Sequence, residues 1–95
     1  MGATLIKHFK QHVQKRYLLE IKVWSVDDKR YLDGVKYSMV FIEPKTERKV
    51  LMDNHYPKKP HVHLDEKELE YEYVDEDKLF SDFEKFVLQH FGVKL

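Results

Sequence analysis

The chain has 95 residues, 42% of them apolar and 14% aromatic, enough for one compact core and too much for a disordered segment. It has no cysteine, which excludes disulfides and thiolate metal sites. No apolar run approaches the roughly 20 residues of a membrane helix, and no signal-peptide pattern opens the chain, so the expectation is a single cytoplasmic domain over residues 1–95, away from membranes. Basic and acidic residues balance at 17 each, yet residues 1–63 hold 13 basic against 7 acidic side chains, and residues 64–95 hold 4 against 10. A basic first part suits phosphate, and the acidic remainder suits either covering it or meeting a basic partner.

In chain order, Thr4 to Lys15 places Leu5, Phe9, His12 and Val13 close to one helical face, which predicts a short basic amphipathic helix. From Tyr17 to Val26 the period changes to two, with Leu19, Ile21 and Val23 alternating with Glu20, Lys22 and Trp24, as in a half-buried strand. Asp33-Gly34 signals a turn into Val35 to Ile42, a run of β-formers that reads as a central strand. Pro44 ends it. Arg48 to His55 reads as the next strand, Tyr56 to Pro60 as a five-residue hairpin connection, and His61 to Leu64 as a short strand. Leu69, Tyr71 and Tyr73 alternate with Glu68, Glu70 and Glu72, the pattern of an acidic-faced edge strand. Leu79, Phe80, Phe83, Phe86, Val87, His90 and Phe91 recur at helical spacing, with acids at Asp75 to Asp77 and a stop at Gly92. The expected fold is α+β, an antiparallel sheet of four to five strands packed against the C-terminal helix, with a short N-terminal helix beside it.

Chemistry concentrates between Asp53 and His63. Asp53 and His55 are two apart, as are His61 and His63, so on strands each pair shares a face. If the hairpin sets His55 opposite His61, Asp53 lies opposite His63 and four functional side chains meet on one surface. Three imidazoles and a carboxylate suit metal-free cleavage of RNA, in which one ring removes the 2′-hydroxyl proton and another protonates the leaving oxygen. Asn54, Tyr56, Lys58 and Lys59 around the tip would contact RNA or phosphate. That reading needs no cofactor. The alternative is a divalent metal held by Asp53, His55, His61 and His63, since imidazole and carboxylate suit zinc and related ions. A polar hairpin tip with no chemistry, serving a non-catalytic nucleic-acid or protein binding module, is the third reading. Trp24 could stack on a base, although an aromatic on a strand is more often packed.

Lys36-Tyr37-Ser38, Val50-Leu51-Met52-Asp53-Asn54-His55-Tyr56-Pro57-Lys58, His61-Val62-His63 and Tyr71-Glu72-Tyr73 resemble the TumE-like toxin family of toxin–antitoxin pairs. The likeness runs from about Tyr17 to Phe86 and is most specific at Asp-Asn-His followed by His-x-His. It implies a growth-arresting toxin with a cognate antitoxin protein as partner, and leaves its target and any homo-oligomer open. The family's polar motif falls on Asp53, Asn54, His55, His61 and His63. Lys59 stands where glycine is expected, and Val62 where a basic residue is usual, which would remove a phosphate contact.

Overall fold

The computed structural model describes residues 2–31, 34–56 and 59–95; Asp33 of the expected turn, and Pro57 and Lys58 of the hairpin, lie outside the described residues. The described residues form six strands and one helix: β1 (Ala3–Val13), β2 (Tyr17–Val26), β3 (Val35–Glu43), β4 (Arg48–Asp53), β5 (His61–Leu64), β6 (Lys67–Glu70) and α1 (Glu76–Phe91). Each strand pairs antiparallel with its neighbour in sequence, giving one sheet in the order β1-β2-β3-β4-β5-β6. The α+β class with a C-terminal helix is as expected, with six strands in place of four or five.

The expected N-terminal helix is instead β1, which pairs with β2 from Ala3↔Val26 to Val13↔Tyr17 with an irregularity between Leu5 and Lys7. A helix of a dozen residues is marginal unless it buries an apolar face. Here the edge of β2 offers backbone partners along its whole length, and Thr4, Ile6, Phe9 and Val13 tolerate a pleated surface. The turn into β2 holds Gln14 at φ 53° and Lys15 at φ 56°, with the Arg16 N–H donating to the Val13 carbonyl at 3.1 Å. Positive φ at both central residues matches the right-handed twist of a hairpin but strains most residues with a Cβ, asparagine and aspartate least among them.

The sheet is two-sided. Tyr17, Leu19 and Val23 of β2, Tyr37, Met39 and Phe41 of β3, Val50 and Met52 of β4 and Val62 of β5 are buried and register with one another on one face. Helix α1 covers that face, burying Leu79, Phe83 and Val87 at four-residue spacing with Phe80, Phe86 and Phe91 half-buried around them. Each buried side chain of this size contributes roughly 1.5–3 kcal/mol. Asp75 caps the helix by accepting from the Lys78 N–H at 2.7 Å, and Gly92, at φ 71°, ends it by donating to the Leu88 carbonyl at 2.8 Å. Val62 belongs to this core, so its side chain points away from the neighbouring histidines and a basic residue there would face α1.

The expected acidic edge strand is shorter than its alternation suggests, since β6 stops at Glu70 and Tyr71 and Tyr73 pack against the core from the segment leading to α1. Tyr71 is tied to the helix by its hydroxyl, which donates to Asp82 Oδ2 at 2.7 Å, the same oxygen that receives Lys78 Nζ at 2.7 Å.

Two tests follow from these contacts. Replacing Gln14 by Asn and Lys15 by Gly should raise stability by about 1 kcal/mol, seen as a Tm increase of about 4–8 °C, because those residues accept positive φ without strain. The hydrogen bonds from Lys78 and then Tyr71 hold the Asp82 carboxyl below its ordinary pKa. A carboxyl depressed in the folded state adds stability above the unfolded pKa of about 4, and that stability is lost as pH falls through the folded value. Asp82→Asn should therefore flatten the acid limb of Tm against pH below about pH 5, measured by circular dichroism.

Candidate functional site: a histidine–carboxylate cluster on the open face

The other face of the sheet is not covered by α1. Reading across it, Lys22, Ser38, Asp53, His61 and Glu70 occupy one register row through β2, β3, β4, β5 and β6. The next row brings Glu20, Val40, Leu51, His63 and Glu68 into line. A mostly polar band thus crosses the open surface, and its β4–β6 end holds the cluster.

Asp53 pairs with His61, not with His63, and His63 pairs with Leu51. The expected register is therefore displaced by two residues, and its cause is Asn54. The Asn54 Oδ1 accepts the Tyr37 N–H at 2.9 Å, and its Nδ2 donates to the Val35 carbonyl at 2.8 Å. The side-chain amide satisfies the β3 backbone that a longer β4 would have paired with, so β4 ends at Asp53. The connection to β5 then runs over residues 54–60, not 56–60. His55 falls past the strand end as an exposed side chain. Asn54 itself is buried and committed to the backbone.

Asp53, His61 and His63 each offer a ligand atom, and those atoms all lie within 4.8 Å of one another. His61 is buried; its Nδ1 lies 2.7 Å from the Lys59 carbonyl, which can only accept, so Nδ1 carries the proton and Nε2 faces Asp53 Oδ1 at 3.1 Å and Glu68 Oε1 at 3.7 Å. The His63 ring stands nearly perpendicular to that of His61 at 4.6 Å between centroids, with Nε2 3.5 Å from Glu68 Oε1. Burial, then the neighbouring His61, lowers the His63 pKa, while Glu68 and Asp53 oppose the shift. Asp53 Oδ1 is buried without a hydrogen bond among the described residues, because its approach to His61 has the distance but not the orientation of one. The buried Tyr37 hydroxyl is also unbonded among the described residues; burial, then Asp53, raises its pKa.

The structure thus brings together Asp53, His61 and His63 and leaves His55 outside the group. Tyr56 is exposed beneath Arg30, whose guanidinium sits 4.2 Å from the ring centroid, and Lys59 is exposed at the far end of the connection. Lys58 lies outside the described residues. Glu68 was not singled out from the sequence as a site residue. Its alternation with Leu69 marks the polar face of β6, but only the β5–β6 register, His63↔Glu68, shows which neighbour it meets.

An antiparallel sheet backed on one face by helix α1, with paired histidines and a carboxylate on its other face, defines a small α+β protein with its polar chemistry on an open sheet surface. Among the described residues no helix is long and apolar enough to cross a membrane. The family model described as Toxin TumE matches residues 3–91, nearly the whole chain, and the protein belongs to that toxin family. No curated protein and no solved structure matches it.

Asn54→Ala should leave the Tyr37 N–H and the Val35 carbonyl without partners and cost about 2–3 kcal/mol, read from urea unfolding as a lower midpoint with unchanged slope.

Proposed function

We propose that this chain is the toxin of a toxin–antitoxin pair and that it acts on RNA, cleaving phosphodiester bonds at the β4–β5 hairpin. A cognate antitoxin is the partner that a toxin family implies. The observation that carries the reading is the shared surface. Lys22, Lys36 and Lys49 lie on the same uncovered face as the Asp53, His61 and His63 cluster, and His8 and Lys10 of β1 extend the row opposite Lys22 and Glu20. Trp24 stands on that face as well, with Lys36 Nζ 5.2 Å from its ring centroid. Lysines spaced over a flat sheet match a phosphate backbone, an aromatic ring offers a base a stacking surface, and an imidazole pair beside them supplies groups for cleavage.

In the imidazole-only form, His63 and the exposed His55 are the rings that a substrate reaches, the Lys59 carbonyl holds the His61 ring beside the Asp53 carboxylate, and the Lys59 side chain meets phosphate. His63 removes the 2′-hydroxyl proton and a second imidazole protonates the leaving oxygen. In the metal form Asp53, His61 and His63 would hold a divalent cation, which would supply Lewis-acid stabilisation of charge at the phosphate. The unbonded, buried Asp53 oxygen favours this second form.

Purified protein incubated with total RNA should cleave it, and His63→Ala should slow cleavage about 100-fold or more in either form. Activity that survives a chelator supports the imidazole-only form, and activity lost to it supports the metal form. RNA that is bound but stays intact with wild-type protein overturns the enzymatic reading and leaves a binding module.

A further inference from the structure

We propose that Asp53, His61, His63 and Glu68 form a binding site for one first-row divalent cation, zinc foremost, on the open face of the sheet. The proposal stands on the cluster's geometry and does not depend on RNA being the target.

Four features converge on a cation. First, ligand atoms of Asp53, His61 and His63 lie within 4.8 Å of one another, with Asp53 Oδ1 and His61 Nε2 3.1 Å apart. Tetrahedral ligation with bonds of about 2.0–2.1 Å places ligand atoms about 3.3–3.4 Å from each other, so small rotations of these side chains complete the geometry. Second, Glu68 Oε1 stands 3.7 Å from His61 Nε2 and 3.5 Å from His63 Nε2, at similar spacing, on the same face of the sheet.

Third, the Lys59 carbonyl accepts from His61 Nδ1 at 2.7 Å, which fixes the tautomer and directs the Nε2 lone pair into the cluster. A backbone carbonyl holding the remote nitrogen is the usual support of a metal-ligating histidine. Fourth, Asp53 Oδ1 is buried and unbonded among the described residues although it faces that nitrogen at 3.1 Å. With the His61 ring neutral, both facing atoms carry lone pairs, repel each other and leave a buried carboxylate oxygen unsatisfied. A cation between them, off their connecting line, removes both costs. Two carboxylates and two neutral imidazoles then surround a dication with no net charge left over.

The donor set decides the class of ion. Two imidazoles with two carboxylates, and no thiolate available in a chain without cysteine, suit zinc, cobalt or nickel better than calcium, which favours an all-oxygen shell. The outer side of the cluster, where Glu68 is exposed and His63 half-buried, leaves the ion accessible to solvent. Exchange of the outermost ligand, Glu68, for a water would leave Asp53, His61 and His63 holding the ion with its fourth position open, as at zinc sites with three protein ligands.

The test uses the full chain stripped of metal by a chelator and dialysed. Isothermal titration with Zn2+ should give one equivalent of saturable binding, and Co2+ should produce the intense visible absorption of a four-coordinate ion. Asp53→Asn and His63→Gln, each checked for native circular dichroism, should weaken Zn2+ binding by tenfold or more. His63 is half-buried on the surface, so its variant should keep the fold if the Asp53 variant does not. No saturable binding by the wild-type chain, or binding undiminished in the folded variants, overturns the proposal. All of this is read without RNA, so a zinc-binding protein that leaves RNA intact removes the ribonuclease reading and leaves the metal site standing.

Discussion

The side-chain amide of Asn54 sets the geometry on which the site depends. By bonding to the backbone at Tyr37 and Val35, it takes the place of a strand partner, stops β4 two residues earlier than its sequence pattern predicts and sends the chain into its turn. Asp53 then becomes the last paired residue, opposite His61. A polar side chain buried for local backbone reasons thus decides which acid meets which imidazole. Its two hydrogen bonds are worth keeping because the groups they satisfy are otherwise hidden from water.

Much of the fold was readable from periodicity. The β2 limits and the phenylalanine-bearing helix with its acidic start and glycine stop emerge from patterns of two and of three to four, because each of these elements buries a single face against the core. The N-terminal segment misled for a complementary reason. β1 is exposed along nearly all its length, so no burial requirement writes a period into it, and Leu5, Phe9 and Val13 fit a helix and a strand alike. The β4–β5 register was illegible because it turns on a side-chain–backbone bond spanning 17 residues, from Asn54 to Tyr37. Asp53, His61 and His63 were recognisable as a chemical group from their types and spacing. His55 was misplaced by the same two-residue shift, and Glu68 went unrecognised because its partner is across a strand.

Charge follows the two-sided architecture only in part. Lys7 on the helix side reaches Glu76 at the start of α1, and Arg48 Nε approaches Asp65 Oδ2 at 3.8 Å, so some of the basic first part is neutralised by the acidic remainder. Lys22, Lys36 and Lys49 share the open face with the cluster, and Lys22 Nζ approaches Glu20 Oε2 there at 3.8 Å. The balance of 17 against 17 is thus repeated on the open face, where lysines of β2 to β4 lie among Glu20, Asp53, Glu68 and Glu70 and the carboxylates stand nearest the histidines.

The bareness of β1 bears on how the molecule comes apart. Its residues contribute backbone bonds to β2 but little buried apolar area, whereas the sheet from β2 to β5 is sealed beneath α1. Peeling the first strand away would uncover little of the interior, so its amides exchange with solvent through a shallow local opening, while those of β3 and β4 wait for the whole domain to unravel.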